Sequence, residues 1–111
     1  MGKPHRVLLV DPEWAHHRLV SATVHERFPE AAIYSAGGSA EALDLVSYTR
    51  FELILVEAGV GGGAEAVASA LAERASGIPV KVFAIGSSEG AFAAPAQTAS
   101  IAQLVEQHLK G

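Results

Sequence analysis

The chain has 111 residues, half of them hydrophobic and 6% aromatic, which predicts one domain over 1–111 with a core of Ala, Val, Leu and Ile and excludes a disordered or low-complexity segment. Twelve acids against eight bases leave a net charge of -4 and no basic face for nucleic acid, while the absence of cysteine excludes disulfides, thiolate metal sites and a thiol nucleophile. No stretch reaches the ~18 apolar residues of a membrane span, and the apolar run in "MGKPHRVLLVDPE" is too short for a signal peptide, so the cytoplasm is the expected location.

Strand-like and helix-like segments alternate. "RVLLV" (6–10) reads as a first strand. A helix over 12–28 follows, with Trp14, Leu19, Val20, Val24 and Phe28 near helical spacing, Asp11 as its N-cap and Pro12 at its first position. "AAIYS" (31–35) is a second strand, and Ser39 caps a helix over 40–48 with Ala42, Leu43 and Val46 as its apolar stripe. "FELILV" (51–56) is a third strand. Val67, Ala68, Leu71 and Ala75 mark a helix over 64–75, stopped by Gly77 and Pro79. "VKVFAI" (80–85) is a fourth strand, and Ile101, Leu104, Val105 and Leu109 mark a final helix over 98–109. Nearly continuous apolar strands alternating with helices predict a parallel sheet covered on both faces.

In such a sheet, ligands gather at the carboxyl ends of the strands, where the strand order reverses. The first strand delivers Asp11 there, with Glu13 just beyond, and the third delivers Glu57. Three carboxylates at one edge meet the requirement of a hard divalent cation for oxygen ligands, with Asp11 and Glu57 as the pair for Mg²⁺.

The ordered set of segments resembles the receiver domain of bacterial two-component response regulators. "RVLLVDPE" is similar to the receiver's first strand and acidic pair, "GGSAEALDLV" to the opening of its second helix, and "FELILVE" to the strand carrying the phosphoacceptor aspartate. "IPVKVFAI" is similar to its fourth strand and "AFAAP" to its fifth-strand Lys-Pro. The resemblance covers nearly the whole chain. It implies a CheY-like, flavodoxin-like doubly wound α/β sheet and a role in signal transduction through protein contacts.

The departures fall where the receiver's chemistry resides. Its second acid is Pro12, its phosphoacceptor position holds Glu57, its hydroxyl after strand four is Ala84, and its lysine is Ala94. The extra methylene of Glu57 spoils in-line positioning, where a 1 Å error costs around a hundredfold. Ala84 removes a hydrogen bond to a charged acceptor, worth about 1.5–3 kcal/mol, and Ala94 removes the balancing cation. The expectation is a non-enzymatic pseudo-receiver with no cofactor and no resident metal, in which Glu57 is a solvated strand-end acid and Glu13 a first-turn acid favoured by the helix dipole. The alternative within the resemblance is an atypical receiver that is still phosphorylated.

Other features define the rival readings. "EAGVGGGAEA" approaches the dinucleotide pattern, with Gly59, Gly61, Gly62 and Gly63 as a phosphate loop before a helix, but it follows the third strand, and Glu57 sets negative charge beside it. A nucleotide- or phosphate-binding α/β domain is therefore the second function class. His16 and His17 point about 100° apart on a helix, and His25 has no acid at ligand spacing, so all three read as solvated surface histidines. Between "VKVFAI" and "AFAA" only "GSSEG" intervenes, too little for a parallel crossover, so the receiver's fourth helix is missing or reduced. The receiver's aromatic switch position is Ala91. The apolar residues Phe92, Ile101, Leu104 and Val105 then become the expected contact surface for a protein partner or a homodimer.

Overall fold

A computed structural model describes residues 5–83, 103 and 105–109. It contains four strands, β1 (Arg6–Val10), β2 (Ala32–Ala36), β3 (Leu53–Glu57) and β4 (Val80–Phe83), and three helices between them, α1 (Trp14–Arg27), α2 (Ser39–Tyr48) and α3 (Ala64–Arg74). Residues 103 and 105–109 are also helical. All strand pairs are parallel, in the order β2-β1-β3-β4. Because the chain moves from β1 outward to β2 and then returns to the other side of β1 for β3, the order reverses between β1 and β3.

The apolar runs place β1 and β3 at the centre of the sheet, where both faces are covered. Their side chains divide by parity, as the two-residue period of a strand requires. Val7, Leu9, Leu53 and Leu55 join Val20 and Val24 of α1, with Val105 and Leu109, in one core layer. Leu8, Val10, Ile54 and Val56 join Ala42 of α2 and Val67 and Leu71 of α3 in the other. Phe51 anchors the second layer and meets the Tyr34 ring edge-on at 5.1 Å. Arg27 Nε pairs with Glu106 Oε2 at 3.0 Å, tying the end of α1 to the C-terminal helical residues.

Several expectations are corrected. α1 begins at Trp14 rather than at residue 12, and its N-cap is Glu13, not Asp11, because the Asp11 carboxylate takes the Glu13 N–H in a turn that precedes the helix. Gly38 is the N-cap of α2, and Ser39 is its first helical residue. The buried stripe of α1 runs through His17, Val20, Thr23 and Val24, so two of its inward positions are polar. Each makes a local bond: Thr23 Oγ1 donates to the Leu19 carbonyl at 2.9 Å, and His17 Nε2 donates to the Asp11 carbonyl at 2.8 Å. In β4, Lys81 and Val82 are exposed. Val105, expected on a contact surface, is fully buried in the first core layer. Ala84, Ala91, Phe92, Ala94, Ile101, Leu104 and the question of the fourth helix lie outside the described residues.

Candidate functional site

Register and parity together assemble the site. Val10 pairs with Val56 across the β1–β3 seam, so the next residue on each strand, Asp11 and Glu57, meet at the carboxyl edge where the strand order reverses. Both are odd-numbered and therefore continue the Val7–Leu9 and Leu53–Leu55 face, which α1 covers. That parity turns the two acids toward the first turn of α1, where His16 is placed.

Both carboxylates are held by the same local device. Asp11 Oδ1 accepts the N–H of Glu13 at 2.8 Å, and Glu57 Oε1 accepts the N–H of Gly59 at 2.7 Å, each from two residues along the chain. Space at Gly59 is tight: a Cβ there would stand 3.0 Å from Glu57 Oε1, so the carboxylate would have to shift. The second Asp11 oxygen, Oδ2, accepts from His16 Nδ1 at 2.7 Å. Asp11 and Glu57 retain only 1% and 8% of their exposure, whereas the side chain of His16, bonded to Asp11, keeps 23%. One ligand atom from each of Asp11, His16 and Glu57 lies within 4.8 Å of the others.

The site thus contains two of the three expected carboxylates. The Glu13 side chain is exposed and contributes its backbone N–H instead. Glu57, expected to be solvated, is buried. His16 and His17, expected on the solvated surface, both serve the strand end, one through the Asp11 side chain and the other through its carbonyl. His25 is exposed but not unengaged, since its Nε2 donates to the Ala31 carbonyl at 2.8 Å. The signal that could have found His16 is "DPEWAH", an acid five residues ahead of a histidine across a strand-to-helix turn. In the glycine segment, Gly62 and Gly63 have φ of +91° and +92° and lead into Ala64, the first residue of α3. Gly59 is occupied by the Glu57 carboxylate, an anion where a phosphate would have to sit.

The receiver resemblance implies Mg²⁺ at this corner, and the donor set does not fit it. Mg²⁺ requires near-octahedral oxygen coordination. Here the second acid position is Pro12, the Glu13 side chain is turned out to solvent, and the third donor beside the two carboxylates is an imidazole nitrogen.

The parallel sheet with the order β2-β1-β3-β4 has the fold of solved response-regulator receiver domains. A phosphorylated cyanobacterial phytochrome response regulator superposes with a TM-score of 0.79 at 14% identity, covering 97% of this chain and 96% of its own. A chemotaxis response regulator of Vibrio cholerae gives 0.68 at 16% identity, covering 93% and 99%. A Burkholderia pseudomallei response regulator, solved with a phosphorylated aspartic acid, calcium ion and citrate, gives 0.69 at 17% identity, covering 96% of this chain and 66% of its own. At these identities the similarity is one of fold. No protein-family model matches the sequence, and no curated protein matches it. Among the described residues, no helix is long and apolar enough to cross a membrane.

Proposed function

We propose that this chain is a receiver-fold protein-interaction domain of two-component-type signalling, cytoplasmic and non-enzymatic, which acts over 1–111 as a single unit without aspartyl phosphorylation. The fold shared with response regulators supports the signalling class. The observation that carries the loss of phosphorylation is the mutual bonding within the pocket. Asp11 Oδ2 is taken by His16, and Glu57 Oε1 is taken by Gly59.

In-line attack on a phosphodonor needs a free carboxylate oxygen, a neighbouring divalent cation and room for the incoming group. Glu57 is anchored by its own turn, and His16 takes an oxygen of Asp11, the acid that would otherwise help hold the cation. Pro12 supplies no acid. With a misplacement of about 1 Å already costing around a hundredfold in rate, these substitutions together suppress transfer. Signalling then proceeds through partner contacts. Phe92, Ile101 and Leu104 are proposed to contribute to those contacts, with a protein partner or a second copy as the other side.

The test is incubation of the full chain with a small phosphodonor and Mg²⁺, followed by intact-mass measurement. An unchanged mass is expected. A stable adduct of one phosphoryl group on Glu57 would overturn the reading.

A further inference from the structure

We infer that a second site lies at the opposite edge of the sheet from Asp11 and Glu57: a cavity that takes a small phosphate monoester, with Arg50 and Arg74 holding the phosphate. The cavity measures about 410 Å³, inside the range of about 300–1,000 Å³ typical of small-molecule pockets. Ser47, Tyr48, Arg50 and Phe51 line it from the end of α2 and the entry to β3, and Arg74 and Ile78 from the end of α3 and the entry to β4.

The charge of this cavity runs against that of the chain. Acids outnumber bases by twelve to eight overall, yet two of the lining residues are arginines and none is an acid. Among the described residues, neither Arg50 nor Arg74 has a carboxylate partner. A neutral group holds Arg74 instead: its Nη1 donates to Ser47 Oγ at 3.0 Å, and that hydroxyl donates to the Leu43 carbonyl at 2.9 Å. The contact orients the guanidinium and engages one of its several N–H groups, leaving the others for a ligand. Both helices end here, and a helix C-terminus carries about half a negative charge, which favours an arginine nearby. That attraction does not use up the charge. Two such ends offset at most about one of the two full positive charges, and each already has a carbonyl taken by a backbone N–H, that of Thr49 or of Ala75.

The lining selects the ligand. Guanidinium groups only donate, in a planar fork that matches the oxygens of phosphate and carboxylate. A phosphate monoester carries a charge of about -1.5 to -2 at neutral pH and so answers both arginines, where a carboxylate answers one. Phe51 and Ile78 offer apolar surface to the organic part of the ester, and Tyr48, which is 77% exposed, adds an aromatic ring. The cavity stands at the amino ends of β3 and β4, away from the glycine segment and the acid pair. A phosphoryl adduct on Glu57 would remove the proposed signalling mode and leave this site in place.

The experiment is titration of the full chain with phenyl phosphate, inorganic phosphate and benzoate, followed by amide NMR. Phenyl phosphate is expected to shift the amides of residues 47–51 and 74–78 saturably, to bind more tightly than either fragment, and to weaken as salt is raised. Arg50→Gln and Arg74→Gln should each weaken it by at least about tenfold, the loss of one charge-assisted contact, with the amide spectrum otherwise that of the folded parent. Arg18→Gln, on the exposed side of α1, should leave the affinity unchanged. Absence of a saturable shift, shifts centred on residues 59–63, unchanged affinity in either cavity variant, or inorganic phosphate bound as tightly as phenyl phosphate would each overturn the assignment.

Discussion

His16 Nδ1 donates to Asp11 Oδ2 at 2.7 Å across a five-residue turn, closing the solvent side of an acid pair that the sheet has already buried. Replacing the ring removes the donor from a buried carboxylate oxygen, a deficit of about 1–3 kcal/mol when no substitute is found. The exposed side of the ring admits water, so His16→Ala is expected near the lower end, at about 1 kcal/mol. Denaturant unfolding of the metal-free protein measures it, and a variant as stable as the parent would show that the bond contributes nothing.

Gly59 should resist even the smallest side chain. A Cβ there would press on Glu57 Oε1 at 3.0 Å and disturb the 2.7 Å hydrogen bond that orients the carboxylate. Gly59→Ala is expected to lower stability by about 1 kcal/mol and to shift the Glu57 side-chain carboxyl resonance. Gly61→Ala, where nothing lies within 4 Å, is the control and should leave that resonance in place.

The fold was legible because β1 and β3 are apolar on both faces, and only a doubly covered parallel sheet accommodates two such strands. The meeting of Asp11 with Glu57 was legible for the same reason: strand ends at a reversal of order converge. His16 was not, because a search for metal ligands at regular helical spacing overlooks an acid that lies before the helix, on a strand end that parity turns toward it. The start of α1 was misplaced by a related cause. Asp11 has the chemistry of an N-cap, but its carboxylate is spent on the Glu13 N–H two residues on, so the chain turns once more before the helix begins. In β4, paired with β3, Lys81 and Val82 face solvent.

Leu55 tests the core beneath the site. It is fully buried in the layer shared with Val7, Val20 and Val24. Leu55→Ala is expected to cost about 2–5 kcal/mol, from lost transfer energy and the cavity left behind. That is a large part of the ~5–15 kcal/mol that keeps a domain folded, so the variant should unfold at a markedly lower denaturant concentration. A loss below about 1 kcal/mol would show that the layer collapses around the gap.

The central claim is that His16 occupies the strand-end pocket and is bonded there to Asp11. Long-range proton–nitrogen correlation of the histidine rings in the metal-free protein reads this directly, because it reports which ring nitrogen carries the hydrogen. The account predicts an Nδ1-protonated pattern for His16 that is lost in Asp11→Ala, while the Nε2-protonated pattern of His25, which donates to the Ala31 carbonyl, stays unchanged. A His16 ring that shows the pattern of a solvent-exposed histidine, and is indifferent to Asp11→Ala, would contradict it.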